Sequence, residues 1–515
     1  MTPTLRRSPD LEWTLGELVE RRADEHPDRV VLRSGDGQAI SFAELARRVG
    51  AMRALLAWRG LQPGDRVALM MGNTLSYPVA WLGITSAAMV AVPVNKRAGP
   101  VDARYLIDNS GARLVVADDA TVATVQTAIA SIGRHIDVEL VAGNGWLTPV
   151  SGAVMPAADV PAGTLAGLQY TSGTTGFPKG CMLSHRYWQQ LGASSVDVLR
   201  LDAGSVLLTA QPFSYIDPLW NVVAALRASA ELVVLDAFHP ATFMQSVADF
   251  AVTAFYCLAA MPVLLAKQPP AGHDRTHRLE HVYCSAIPPR LHSEIEGRWG
   301  VPWYEVFGMT ETGLNLAVLA DDHDELVGSG SLGGALRHCE ARVVDRAGVE
   351  LPAGVDGELV LRGLGFMDGY FDNPEATAAF FAGGWAHTGD IATRDPQGRF
   401  ALRGRIKDMI RRGGENIAAA EVEAALVSHP AVLECAVVAI ADDDLGEELR
   451  AVVVPAAGAE ASPAELREHV AARLAPFKVP RYWEFRSDLP HTPSERVAKH
   501  RIGEPTGDLL DLRDG

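Results

Sequence analysis

Residues 170–180 read YTSGTTGFPKG, which puts three glycines, four small hydroxyl side chains and one lysine into eleven positions. That is the composition of a loop that wraps a polyphosphate such as ATP. The glycines let the backbone approach a ligand closely, while amides and the side chains of Ser172, Thr174 and Thr175 donate hydrogen bonds to it. Lys179 adds a mobile positive charge, and the apolar Leu165 and Leu168 upstream predict a strand that ends at the loop. A Walker loop would close on Gly-Lys-Ser/Thr, but Pro178-Lys179-Gly180 stands in that place, which disfavours an ordinary P-loop NTPase. The competing reading of the stretch is a flexible Gly/Ser/Thr surface loop, and the rest of the chain weighs against it.

Outward from the loop the chain alternates helical and strand patterns. Leu15 to Ala23 and Phe42 to Trp58 carry apolar residues at helical spacing, the second with Ser41 as N-cap and Leu45, Val49, Met52 and Leu55 along one face. Short apolar runs at 66–71, 114–117, 138–141, 205–209 and 231–235 read as strands, so the class is α/β with doubly wound layers. After about residue 328 the texture becomes glycine-punctuated β, with strands expected at 340–345 and 357–362. From Glu421 to Val454 it reads helix, strand, loop, strand, followed by a helix at 463–474. The expected division is an N-terminal domain over 1–403, a hinge at 404–408 and a C-terminal α+β domain over 409–515.

Composition bounds the partners. Lys and Arg total 46 against 63 Asp and Glu, a net charge of −17, which argues against nonspecific nucleic-acid binding or adhesion to an anionic membrane. The five cysteines are dispersed with no CxxC pair, which fits a reducing compartment. The N-terminus lacks the apolar core of a secretory signal, and the stretch 79–94 is too short and interrupted to span a bilayer. The expectation is a soluble, cytoplasmic enzyme with no membrane span.

Three further clusters carry chemistry. In VFGMTETG, residues 306–313, Phe307 can stack on a base beside the turn residue Gly308, Thr310 can bond a phosphate oxygen, and Glu311 can hold Mg²⁺, which takes one or two carboxylates plus phosphate oxygens. Alone, it would pass for a capped strand-to-helix turn. In WAHTGDIA, residues 385–392, Asp390 can accept two hydrogen bonds from ribose hydroxyls. The stretch GRIKDMIRRGGENI, residues 404–417, holds Arg405, Lys407, Asp408 and a Gly-Gly turn, and alone would be a solvated linker.

In this order the four motifs resemble the adenylate-forming superfamily of acyl-CoA synthetases, adenylation domains and luciferases, and the resemblance covers nearly the whole chain. It implies a large N-terminal domain of two α/β subdomains with a β-barrel-like part, and a small mobile C-terminal domain. It also implies Mg-ATP and coenzyme A as cofactors, and a small-molecule carboxylic acid converted through an acyl adenylate to its CoA thioester by domain alternation. By resemblance, residues 171–176 and Lys179 form the phosphate loop; Ser285 and Ala286 stand where relatives carry an adenine-side Gly-Ala-Pro turn. Phe307 packs near adenine in place of the usual tyrosine; Thr310 and Glu311 serve phosphate and Mg²⁺; Asp390 and Arg405 hold the ribose. Lys407 is the hinge residue, and Gly413, Gly414 and Glu415 line the pantetheine tunnel. The segment QPFSYIDPLW, residues 211–220, resembles the carnitine-CoA ligase-like and cyclic-carboxylate ligase branch, with Tyr215 as the mobile pocket aromatic. Asp217 invites comparison with the aspartate that binds an amino group in adenylation domains, although its Ile-Asp-Pro context favours a turn.

The largest departure lies near the C-terminus. Relatives carry TPSGK or TPTxK with a lysine used in adenylation, whereas this chain reads HTPSERVAK, so Arg496 stands at the lysine position and Lys499 follows three residues later. A planar guanidinium does not copy a compact ammonium. Three outcomes stay open: Arg496 substitutes, Lys499 reaches in, or adenylation is weak and the protein thioesterifies an acyl-AMP made by a companion adenylating enzyme. A stand-alone adenylating enzyme for a carrier protein and a catalytically silent nucleotide- or acyl-binding protein are the remaining alternatives, and a homodimer is compatible with all of them.

Overall fold

The computed structural model describes residues 9–141, 154–171, 178–258, 260–412, 415–442, 445–456, 458–459, 462–491, 497–506 and 509–512. The chain divides into two compact units, Met1–Glu340 with Leu361–Ala386, and Ala341–Val360 with His387–Gly515. The compact units therefore do not break at 403. Segments 341–360 and 387–403 group with the C-terminal part, because the strand Ala386–Arg394 pairs with Phe400–Arg405 and continues directly into the turn Ile406–Asp408.

The first unit contains two α/β sheets. One runs Asp137–Val141, Leu114–Asp118, Arg66–Met70, Val90–Pro93, Leu165–Thr171 and Lys179–Ser184. Its neighbours are parallel except the last pair, an antiparallel hairpin with Thr171 opposite Lys179. The other sheet is parallel through Val30–Ser34, Glu231–Val234, Val206–Thr209, Ala254–Leu258, His281–Ser285 and Trp303–Met309. It then turns antiparallel through Gly313–Ala317 and Ser331–Ala335. Parallel strands buried on both faces require near-continuous apolar runs, and Leu114–Asp118 and Ala254–Leu258 have that character.

Local chemistry sets the helix starts. Ser41 accepts the Glu44 amide at the head of Phe42–Trp58, and Thr14 with Glu17 forms a capping box on Leu15–Glu25. The helix Ser76–Ser86 is buried on every side, which explains why its sequence reads apolar without being a membrane span. Among the described residues no helix is long and apolar enough to cross a membrane. Phe255, Trp299 and Trp303 lie in a continuous core beneath the second sheet, and each such fully buried side chain contributes roughly 2–3 kcal/mol.

In the second unit, Val432–Asp442 and Gly446–Pro455 form a long antiparallel pair, with Tyr482–Phe485 parallel to the latter. The helices Ala419–Val427 and Pro463–Ala471 contribute Val422, Leu426, Leu466 and Val470 to its core around Trp483. All five cysteines of the chain are free and buried.

Candidate active site

In open parallel sheets, ligands bind beyond the carboxyl ends of the strands. Thr171, Ser285 and Met309 all end strands of the first unit, so the loop after 170, the turn at 285–288 and the cluster at 306–313 start from strand ends. The loop residues Ser172, Gly173, Thr174, Thr175 and Gly176 lie outside the described residues, but its base is closed by the Thr171–Lys179 pair. The returning strand Lys179–Ser184 ends on Ser184, whose hydroxyl accepts the Tyr187 amide and starts the helix His185–Val198. From the first turn of that helix Tyr187 donates its hydroxyl proton to the Thr310 carbonyl at 2.9 Å.

The Phe307–Glu311 stretch is a hairpin, where a strand-to-helix turn was the expectation for the motif alone. Trp303–Met309 pairs antiparallel with Gly313–Ala317, because Gly313 takes the left-handed conformation and the next residues continue extended. Gly308 is required there: a Cβ on it would sit 2.4 Å from the Gly313 carbonyl oxygen. Phe307 and Glu311 are both buried.

A residue that the motif reading missed joins the two halves of this rim. Tyr370 donates from its hydroxyl to Glu311 Oε1 at 3.0 Å, and the Lys179 ammonium lies over its ring, 5.1 Å from the centroid. Burial, followed by the neighbouring Glu311 and Cys181, pushes the phenol far above its usual range, so it stays a protonated donor. The Met367 amide donates to the Glu311 carbonyl at 2.9 Å and the Phe371 amide to the Gly180 carbonyl at 2.7 Å, so segment 367–371 spans both motifs.

Glu311 fits a magnesium ion carried by a nucleotide better than a resident metal. It is a single buried carboxylate beside a hydroxyl and a lysine, so most of the coordination would come from phosphate oxygens and water. Among the described residues, the groups of three that could hold a metal are His292, Glu296 and His323, and Glu434, Asp488 and His491. Neither includes Glu311. The first is satisfied internally. The Gly328 amide donates to His292 Nδ1, which puts the proton on Nε2, where it faces the Trp303 carbonyl at 2.8 Å.

At the turn that follows His281–Ser285, Ser285 donates to the Val306 carbonyl at 3.0 Å and accepts from the Tyr256 hydroxyl at 2.9 Å. Ala286 has φ of 70°, unusual for a residue with a side chain. The buried Glu305 holds this conformation, accepting the Ala286 amide at 2.6 Å on one oxygen and the Ile287 amide at 2.8 Å on the other. Burial pushes its carboxyl up to about 8, against the lowering effect of those two amides. Sequence reasoning passed over Glu305, although a lone acid inside the apolar run WYEVF was the available signal.

Tyr215 precedes the helix Ile216–Ala228 and accepts the Asn95 side-chain amide on its hydroxyl at 2.8 Å. Asp217 lies in the first turn of that helix, where a negative charge suits the dipole, and its carboxylate faces Trp220 Nε1 at 3.4 Å.

In the second unit Asp390 and Arg405 are register partners, and Arg405 Nε lies 2.9 Å from Asp390 Oδ1. Asp390 is buried and its amide donates to the Thr388 hydroxyl, while Arg405 is exposed enough to reach a ligand. Lys407 is exposed at its surface but partly screened from solvent. Burial is the main cause lowering its pKa, with Arg405 and Lys499 adding to it and Asp408 opposing. Gly413 and Gly414 lie outside the described residues, between the paired Arg412 and Glu415. Arg496 also lies outside them. Lys499 is described, and its ammonium sits 2.7 Å from Glu423 Oε1 and 3.9 Å from Asp408 Oδ2.

Comparison with known proteins agrees with these motifs. The family model described as AMP-binding enzyme matches residues 19–371, and the AMP-binding enzyme C-terminal domain matches residues 421–496. The chain is 32% identical over 512 residues to a sulfoacetate–CoA ligase of Cupriavidus necator, covering 96% of this chain and 99% of that relative. It is 31% identical to a crotonobetaine/carnitine–CoA ligase of Escherichia fergusonii, covering 93% and 96%. Among solved structures, ATP-bound MatB from Rhodopseudomonas palustris superimposes with a TM-score of 0.86 at 30% identity, covering 96% of this chain and 99% of that one.

Proposed function

We propose how this chain, which belongs to the family of AMP-binding enzymes and is an AMP-forming acid–thiol ligase, divides its reaction among its own residues. In the first half-reaction a substrate carboxylate oxygen bonds to the α-phosphorus of ATP as pyrophosphate leaves. In the second the thiol of coenzyme A attacks the acyl carbonyl, AMP departs with the former carboxylate oxygen, and the thiol proton passes to solvent.

The observation that carries the residue assignment is the meeting of Lys179 and Glu311 on Tyr370. It supports a reading in which Lys179 and the 171–176 hydroxyl loop orient the phosphates, Thr310 bonds them, and Glu311 holds Mg²⁺. The metal, when bound, would neutralise phosphate charge and align the leaving group. Asp390 accepts the ribose hydroxyls and Arg405 donates to the nucleoside side of the ligand, while Phe307 packs near adenine against the Ser285–Ala286 turn. These groups work by holding charges and reacting atoms in place, a preorganisation worth several kcal/mol of barrier. Tyr215 borders the acyl pocket, Lys407 is the pivot at 404–408, and Gly413, Gly414 and Glu415 border the path of the thiol. Free, buried cysteines suit a reducing compartment, and the cytoplasm is the proposed location.

The test assays the halves separately. A panel of organic acids with Mg-ATP should give carboxylate-dependent pyrophosphate release, and synthetic acyl-AMPs with free CoA should give thioesters. No pyrophosphate from any acid class together with no thioester from any acyl-AMP would overturn the reading.

One observation favours a second reading, thioester formation from preformed acyl-AMP alone. The Lys499 ammonium is already engaged by Glu423 and Asp408, which leaves Arg496 as the cation for adenylation. Pyrophosphate release that is absent in the parent and gained by Arg496→Lys would establish that reading.

A further inference from the structure

The phosphate-loop lysine and the metal-holding carboxylate come from motifs far apart in sequence, yet one side chain touches both. Tyr370 Oη lies 3.0 Å from Glu311 Oε1 and its ring face receives Lys179 Nζ at 5.1 Å. We propose that Tyr370 is a positioning residue for the adenylation half-reaction: its hydroxyl orients the Glu311 carboxylate and its ring orients the Lys179 ammonium, so one side chain sets the spacing of both charges around the triphosphate. This inference rests on the adenylation roles proposed for Lys179 and Glu311.

Three features make the arrangement more than packing. A donor held at Oε1 fixes the plane of the carboxylate, and so determines where its second oxygen points; partners of this kind tune a metal ligand about 10- to 100-fold. The ammonium over an aromatic face is attracted by the ring quadrupole and stays directed toward the rim without being neutralised, which a carboxylate partner would not allow. Tyr370 itself has little freedom. Its amide donates to Thr377 Oγ1 at 2.8 Å, Phe371 N–H donates to the Gly180 carbonyl, and Met182 N–H donates to the Gly369 carbonyl at 2.9 Å. Phe380 meets its ring edge-on with centroids 5.8 Å apart. A Cβ on Gly369, whose φ is 138°, would come 2.7 Å from Thr377 Cγ2, so the chain reaches this position only through glycine.

The segment therefore behaves as a strut between two ligand-binding turns. Phenylalanine at 370 would fill the same volume and keep the ring under Lys179. It would remove only the bond to Glu311, which makes it the informative change.

The experiment compares the parent with Tyr370→Phe and Tyr370→Leu. Calorimetric titration of ATP at a series of Mg²⁺ concentrations reads the metal dependence of binding without turnover, and the two half-reactions are assayed separately. For Tyr370→Phe the Mg²⁺ midpoint for ATP binding should rise about 10-fold and pyrophosphate release fall by a similar factor, while thioester formation from supplied acyl-AMP stays within about twofold. Tyr370→Leu, which also loses the ring, should weaken ATP binding further. An unchanged Mg²⁺ midpoint in Tyr370→Phe, or equal losses in both half-reactions, would overturn the proposal. If the parent releases no pyrophosphate with any acid, adenylation by this protein fails as a reading, and the Mg²⁺ midpoints still decide the role of Tyr370. If the parent binds no Mg-ATP, both fall together.

Discussion

Lys499 Nζ lies 2.7 Å from Glu423 Oε1, and this pair fixes the segment that follows residues 492–496 onto the helix Ala419–Val427. Glu423 also accepts the Val437 amide at 2.6 Å, and burial raises its pKa against the lowering effect of Lys499. Lys499→Met should therefore destabilise the protein by about 2 kcal/mol, since it strands a poorly hydrated carboxylate. Adding Glu423→Gln should recover most of that loss. Denaturant unfolding of the single and double variants checks the pair. If Lys499 were instead the adenylation cation, Lys499→Met would abolish pyrophosphate release with stability unchanged.

Glu305 gives a pH dependence with a defined sign. Its folded-state pKa is pushed up to about 8 from 4.5, so the native protein binds a proton that the unfolded chain releases earlier. Its contribution is greatest below pH 4.5 and is lost as pH rises toward 8. Unfolding free energy measured at pH 5.5, 7 and 8.5 should fall more steeply in the parent than in Glu305→Gln. Because the amide nitrogen of glutamine donates and cannot accept, one of the two backbone amides loses its acceptor, and the variant should also weaken ATP binding by about tenfold through the Ala286–Ile287 turn.

Gly308→Ala introduces a Cβ at 2.4 Å from the Gly313 carbonyl oxygen. The obstacle is backbone, so the hairpin must open. The expected cost is about 1–3 kcal/mol of stability with a larger loss of nucleotide binding, read by thermal shift with and without Mg-ATP.

Arg405→Lys keeps the charge opposite Asp390 but not the planar fork. Arg405 meets Asp390 through Nε, a contact that the terminal ammonium of lysine cannot copy. KM for ATP should rise about tenfold or more, with a smaller effect on stability because the arginine is well exposed.

Much of this molecule was legible in local sequence because the signals are local. Ser41 announced its helix, the strands at Arg66–Met70 and Leu114–Asp118 followed from unbroken apolar runs, and the chemistry-bearing motifs sit at strand ends where such loops belong. What escaped was set by tertiary contact. Nothing in the residues around Tyr370 names Glu311 as its partner, and Glu305 is remarkable only once its two amide donors are folded against it. The grouping of 341–360 with the C-terminal part was hidden because β texture is similar on both sides of that division.

The burial of all five thiols has a practical consequence. Maleimide dyes require an accessible thiolate, and burial raises the pKa of Cys181, Cys284, Cys339 and Cys435. The native protein is thus a ready background for single-site labelling. One surface cysteine placed in each compact unit would be the reactive pair, and fluorescence energy transfer between the two dyes could follow their separation through a catalytic cycle with no prior removal of native cysteines.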